Sequence, residues 1–224
     1  MLNSPMSEPL ALSLLPLFPL GTMLCPGGFL PLRIFEVRYL DMIGKCFKTG
    51  APFGVVTLIK GNEVRRAGAT GAPGDSTAGE TFHPVGTLAT ITELTRPQPG
   101  LIEISCTGTQ RFRINSTQLL KHGLWVANVT VLADDMSVAI PDDLKGVSVA
   151  LANLINSIKA SDMSEAHMPV QPPYRFDDCG WVANRWCELL PISPEHKQGL
   201  LALDNPLVRL ELVSDMLARS GIAG

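Results

Sequence analysis

Four histidines, five cysteines and two of the three adjacent aspartate pairs are the residues that could carry chemistry in this 224-residue chain. A zinc site gathers several His, Cys or carboxylate ligands at one point. His83, His122, His167 and His196 stand singly, with no H-E-x-x-H and no i, i+4 pair, and read as surface or locally hydrogen-bonded residues. Cys25, Cys46, Cys106, Cys179 and Cys187 are odd in number and hold no C-x-x-C. They read as small buried hydrophobes in a reducing compartment, not as a disulfide framework. Asp134-Asp135 and Asp142-Asp143 could act as paired carboxylates, but solvated turns and helix caps account for them better. No G-x-S-x-G marks a nucleophile elbow. The nearest approach to a phosphate loop is Gly74-Asp-Ser-Thr-Ala-Gly79-Glu80-Thr81. Its lysine position holds Glu80, which repels a phosphate where lysine attracts one. The expectation is a chain with no catalytic residue, no metal and no cofactor.

Binding residues are the alternative. Tyr174 and Phe176 lie in a proline-rich stretch just before a predicted helix that carries Trp181, and Phe29 lies in a glycine-rich turn. Trp181 falls off that helix's apolar seam, on the face of Arg185 and Glu188. That leaves two readings, a ring exposed at an interface or a second layer packed against the strand region. Exposed aromatics beside a domain junction are what peptide grooves and dimer contacts use. Phe29, Tyr174, Phe176 and Trp181 are therefore the candidate peptide- or partner-binding residues. Arg111 and Arg113 flank Phe112 and read as a solvated strand face, with phosphate or acidic-peptide reading as the alternative. Glu36 and Arg38 read as a helix start with a local pair.

Those residues need elements to hold them. Residues 14–20, 53–59, 85–94, 101–106, a run beginning at 112–114, and 125–132 read as about six short strands. Together they suggest a small barrel or folded sheet. Arg96-Pro-Gln-Pro-Gly100 supplies a hairpin turn. Val37, Leu40, Ile43 and Phe47 give one helical seam, stopped by Gly50 and Pro52. Residues 65–82 form a loop of glycine, alanine and threonine, predicted to be flexible. After residue 140 the period becomes helical. Leu144, Val147, Leu151, Leu154 and Ile158 form one seam, capped by Asp142 or Asp143. A linker follows over 161–176. Asp177 or Asp178 caps a second seam of Cys179, Val182, Trp186 and Leu189. Ser193-Pro194 and Asn205-Pro206 start two more helices, the last stopping at Gly221. The resulting class is α+β. A β-rich part with one helix precedes a bundle of three or four helices, divided as a disordered leader over 1–13, strands over 14–133 and helices over 134–224.

Composition removes whole classes. Apolar residues make up 46% and charged residues 17%, with a mean hydropathy of +0.20. That excludes a disordered chain and a coiled coil. The net charge of −3 and a pI near 5.8 argue against nucleic acid, which needs a basic footprint. The charge is uneven. Residues 1–132 carry 11 basic and 8 acidic groups, whereas 133–224 carry 7 and 13. No Lys or Arg precedes Arg33, and Pro9, Pro16 and Pro19 interrupt the apolar start. No signal peptide or membrane span is expected there, and the protein is expected in the cytoplasm.

The string LPLFPLGTMLCPGGFLPLRIFEVRY over 15–39 resembles the opening of the Lon protease N-terminal domain family. Phe53-Gly-Val-Val56, Val85-Gly-Thr-Leu-Ala-Thr-Ile91 and Gly108-Thr-Gln-Arg-Phe-Arg-Ile114 match it in order. Lys197-Gln-Gly-Leu-Leu201 and Arg209-Leu-Glu211 resemble its last two helices. The likeness runs over about 14–220. It implies a PUA-like pseudobarrel followed by a helical subdomain. Full-length Lon proteases continue into an ATPase and a Ser-Lys peptidase. Neither segment is expected in this sequence, which resembles a free-standing substrate-recognition domain of the bacterial type. The resemblance thus implies a non-catalytic module that binds unfolded polypeptide or peptide segments. The alternative is an adaptor or homodimeric subunit that delivers clients to a separate protease. An ATP-dependent peptidase and an RNA-binding protein are the lesser readings.

Overall fold

The leucines at the start of the chain close a barrel. The structure, a computed structural model, describes residues 10–61, 80–161 and 168–221. Its strands are β1 (Ala11–Leu20), β2 (Phe29–Ile34), β3 (Phe53–Lys60), β4 (Thr81–Phe82), β5 (Val85–Gln98), β6 (Leu101–Leu119) and β7 (Trp125–Val131). They join in the order β1-β7-β6-β5-β3, and β3 pairs again with β1, which closes the ring. The β1–β3 pair is parallel and the others are antiparallel. β2 extends the sheet along β6, and β4 along β3.

Alternation along β1 sends side chains to two cores. Leu15 and Leu17 meet Val56, Leu88, Phe112, Ala127 and Val129 in one cluster. Phe112 is fully buried there, and two glycines make its room. A Cβ on Gly54 or Gly86 would stand 2.7 or 2.6 Å from Phe112 Cζ. Phe18 and Leu20 turn the other way, toward helix α1 (Val37–Thr49). Phe18 stacks on Tyr39 with ring centroids 4.2 Å apart.

That stacking corrects the predicted helix face. The buried residues of α1 are Arg38, Tyr39, Met42, Ile43 and Cys46, whereas Val37 is 80% and Phe47 45% exposed. Both sets fit helical spacing, and the tyrosine's fit against Phe18 sets the rotation. Gly50 ends the helix with φ 69°, as its type predicts.

Three other expectations change. The predicted short strands over 101–106 and from 112 are one 19-residue strand, β6. Gly108 does not break it. Instead it lets the turn before β2 approach, exchanging bonds with Gly27 and Gly28, and a Cβ there would lie 2.2 Å from the Cys25 carbonyl oxygen. Phe29 opens β2 opposite Thr107 and is not in a turn. The first strand begins at Ala11, inside the expected leader, because Ala11 and Leu12 pair with Thr130 and Val129 beyond a bulge. Residues 1–9 of that leader, the glycine-rich stretch up to residue 79 and residues 162–167 of the linker lie outside the described residues.

The helical part follows the local signals closely. After a short 3-10 turn (Asp142–Leu144) come α2 (Lys145–Lys159), α3 (Cys179–Leu189), α4 (Pro194–Ala202) and α5 (Pro206–Arg219). Val147, Leu151 and Ile155 bury the face of α2. Neither Asp142 nor Asp143 caps α2 by its side chain, since both belong to the 3-10 turn. Asp178, Ser193 and Asn205 do cap α3, α4 and α5. The core of these helices takes in Met23, Cys25 and Val85 from the strand region. Among the described residues, no helix is long and apolar enough to cross a membrane.

Candidate functional site

Trp181, Arg185 and Glu188 lie at i, i+4 and i+7 on α3 and so share one face. That face meets the turn at residues 26–28. Arg185 donates to the carbonyl oxygens of Gly27 and Pro26, the latter at 3.1 Å. Its Nε lies 2.9 Å from Glu188 Oε2, an ion pair out of line for a hydrogen bond. The other Glu188 oxygen accepts the Cys25 N–H at 2.8 Å. Gly28 lies against this carboxylate, where a Cβ would stand 2.1 Å from Oε1. Burial pushes the Glu188 carboxyl up, against the opposing pull of Arg185.

A second polar knot lies beside the first. Arg111 reaches from β6 to the carbonyl oxygens of Leu201 at 3.0 Å and Leu203 at 2.8 Å, and to Asp135 at 3.1 Å. Arg209 of α5 holds both oxygens of the same Asp135, and donates to Asn184 Oδ1 at 3.2 Å and the Leu200 carbonyl at 3.0 Å. Arg111 is therefore not on a solvated face; its side chain is 3% exposed. Burial lowers its pKa and Asp135 opposes the shift. Asp135 is likewise not a solvated turn residue, because it is the shared counter-charge of two buried guanidinium groups. Arg113 is exposed, as predicted, and the Glu36–Arg38 pair forms at 3.0 Å.

Three of the four candidate aromatics come together. Tyr174 stacks on Phe176 at 5.5 Å, and Trp181 meets Phe176 edge-on at 5.3 Å and Tyr174 at 6.2 Å. Tyr174 and Phe176 are half-buried, whereas Trp181 is only 6% exposed. Trp181 thus takes the second-layer place, packed near Gly27, and is not an exposed ring. Lys159 Nζ sits 4.5 Å from the Tyr174 ring centre. Phe29 is half-buried on β2.

Two hollows open along this junction. One, of about 220 Å³, lies between Trp181, Gly27, Thr109 and Asp178. The other, of about 660 Å³, is lined by Leu132, Met136, Val138, Pro206 and Leu207, with Asp134 and Asp204 among its walls. Arg111, Ala133 and Asp134 border both. Met136 is 78% exposed at the larger one. Sequence reasoning missed this groove, since Met136 and Leu207 belong to no periodic seam that marks them as neighbours. The thiols are shielded from this groove. All five cysteines are free and buried, and burial pushes the Cys106 thiol up to about 12. Among the described residues, no three His, Cys, Asp or Glu side chains group as metal ligands.

A closed barrel locked to a helical bundle, with an open groove at their junction, is the class of protein described so far. Comparison with known proteins makes it specific. The model of the ATP-dependent protease La (LON) substrate-binding domain matches residues 14–219, and the chain belongs to that family. A crystal structure of a Lon N-terminal domain protein from Xanthomonas campestris is similar at 26% identity. That match has a TM-score of 0.65 and covers 91% of this chain and 98% of the other. The N-terminal domain of Mycobacterium avium complex Lon protease shares the fold at 15% identity and a TM-score of 0.55, covering 91% and 97%. No curated protein matches the sequence.

Proposed function

We propose that this chain is a non-catalytic module that holds segments of polypeptide at the junction of its barrel and helices. The observation that carries the reading is the open groove of Leu132, Met136, Val138 and Leu207, in a chain of the Lon substrate-binding family. An apolar groove beside a packed junction takes up exposed side chains of a client without any bond being made or broken. Tyr174 and Phe176, half-buried against Trp181, offer a second surface for such side chains, and Phe29 on β2 is the remaining candidate. The strand region 14–133 supplies one wall and the helical region 134–224 the other. In this reading the protein works in the cytoplasm, where clients are unfolded or nascent chains, and needs neither nucleotide nor nucleic acid.

The test is light scattering of a chemically unfolded model protein as it is diluted into buffer without ATP. Suppression of aggregation at a near-stoichiometric ratio, weakened by Met136→Glu, supports the reading. No suppression by the folded wild-type protein overturns it.

A further inference from the structure

Between β7 and the bridge of Ala139 to Asp178, residues 133–137 behave as a strand that lacks a partner among the described residues. Residues 132–138 run without a turn or bend. Their side chains alternate as a strand's do. Asp135 points inward to Arg111 and Arg209, and Ser137 Oγ donates to Asp178 Oδ2 at 2.8 Å. Asp134, Met136 and Val138 line the large groove on the other side. The ends are fixed, since Leu132 N–H donates to the Arg111 carbonyl and Val138 C=O accepts from Cys179 N–H, both at 2.8 Å. Between those ends, among the described residues, the main chain of 133–137 makes no backbone–backbone hydrogen bond. It is an anchored, solvent-facing edge with free donors and acceptors. Such an edge templates another strand.

The charges at the groove have one sign. Asp134 is exposed, and Asp204 has a side chain 80% exposed with one oxygen 3.3 Å from Arg111 Nη1; Arg111, the one cation among the described residues that line the groove, is buried between Asp135 and Asp204. We propose that the groove's ligand is an extended peptide that adds as a strand along residues 133–137. It places apolar side chains against Met136, Val138 and Leu207, and Lys or Arg side chains toward Asp134 and the solvent-facing side of Asp204, whose inner side pairs with Arg111. This deepens the polypeptide-binding reading and rests on it. It names the conformation and charge of the segment recognised. Main-chain bonds give such a complex its affinity, and the alternate pockets give it selectivity. The rim carboxylates act mainly on choice of partner and on association rate.

Fluorescence anisotropy with three labelled eight-residue peptides tests it on the full chain. The first alternates Leu and Thr between lysine flanks. The second has glutamate flanks. The third keeps the lysines but carries N-methyl groups on alternate amides, which removes donors. The lysine peptide is expected to bind about fivefold tighter than the glutamate peptide at low salt. Asp134→Asn narrows that ratio, and an exposed side chain makes this variant safe for folding. N-methylation is expected to weaken binding about tenfold. Equal binding of the parent and N-methylated peptides overturns strand addition while leaving the polypeptide-binding reading in place. Equal binding of the two flanked peptides overturns the charge preference alone. Failure of all three to bind overturns this inference, and the aggregation assay then shows whether the broader reading falls with it.

Discussion

Arg209 grips Asp135 through two parallel bonds, Nη1 to Oδ2 at 2.5 Å and Nη2 to Oδ1 at 3.2 Å, with the arginine side chain 1% exposed. Asp135 also holds Arg111, so two buried guanidinium groups share one carboxylate. Removing it leaves Arg209 out of water without a counter-charge and Arg111 with only Asp204, whose side chain is 80% exposed. Asp135→Asn is therefore expected to destabilise the fold by about 3 kcal/mol, measured as a shift of the urea midpoint at constant slope. A loss under about 1 kcal/mol means that water reaches both arginines.

The junction itself predicts a difference between two cations. Arg185 bonds two carbonyl oxygens, those of Pro26 and Gly27, through separate nitrogens. Lysine keeps the charge but has no planar fork to span both. Arg185→Lys is expected to cost about 2 kcal/mol. If lysine is tolerated without loss, the charge alone holds α3 to the turn.

Much of this was legible in the sequence where the signal is local. Ser193-Pro194, Asn205-Pro206 and Gly50 mark helix ends because a cap is made within a few residues. Arg111 was not legible. Its partners Asp135 and Leu203 lie 24 and 92 residues away, and an arginine in an alternating strand reads as solvated until those partners are known. The rotation of α1 failed for another reason. Two apolar seams satisfy the same period, and only the ring of Phe18 decides between them. Of the candidate site, the aromatic cluster was readable from its closeness in sequence. The groove was not, because Met136 and Leu207 are brought together by the knot around Asp135.

Two glycines separate close approach from mere helix weakness. A Cβ on Gly108 would lie 2.2 Å from the Cys25 carbonyl oxygen, a main-chain atom held by the barrel. Gly199 lies inside α4 with nothing within 4 Å of its added Cβ. Gly108→Ala is expected to destabilise by about 2 kcal/mol through overpacking. Gly199→Ala is expected to stabilise by about 0.5 kcal/mol, since alanine is the better helix former. Thermal unfolding of the two variants checks both signs. Equal effects contradict the close approach of the turn to β6.

The cysteines give a chemical measure of the same packing. All five are buried, and burial raises the pKa of Cys46, Cys106 and Cys179. Thiolate is the reactive form. A disulfide reagent at pH 8 is therefore expected to label none of the native thiols within minutes and all five in denaturant. Fast labelling of one native thiol means that its part of the core opens locally.

Glu188 makes the junction sensitive to pH. Burial raises its folded-state pKa above the ordinary 4.5, so between those two values the folded chain holds a proton that the unfolded chain has released. Stability then falls as pH rises through that window, and the contribution is fully present only below 4.5. Glutamine at this position keeps an oxygen for the Cys25 N–H but never ionises. The stability of the wild type relative to Glu188→Gln is therefore expected to fall as pH rises from 4 to 7. The sign is opposite to that of a carboxylate held down by a salt bridge. Urea midpoints of the two proteins across that range decide it. Parallel curves mean that Arg185 offsets the burial in full, and a difference that grows in the other direction means that the ion pair outweighs it.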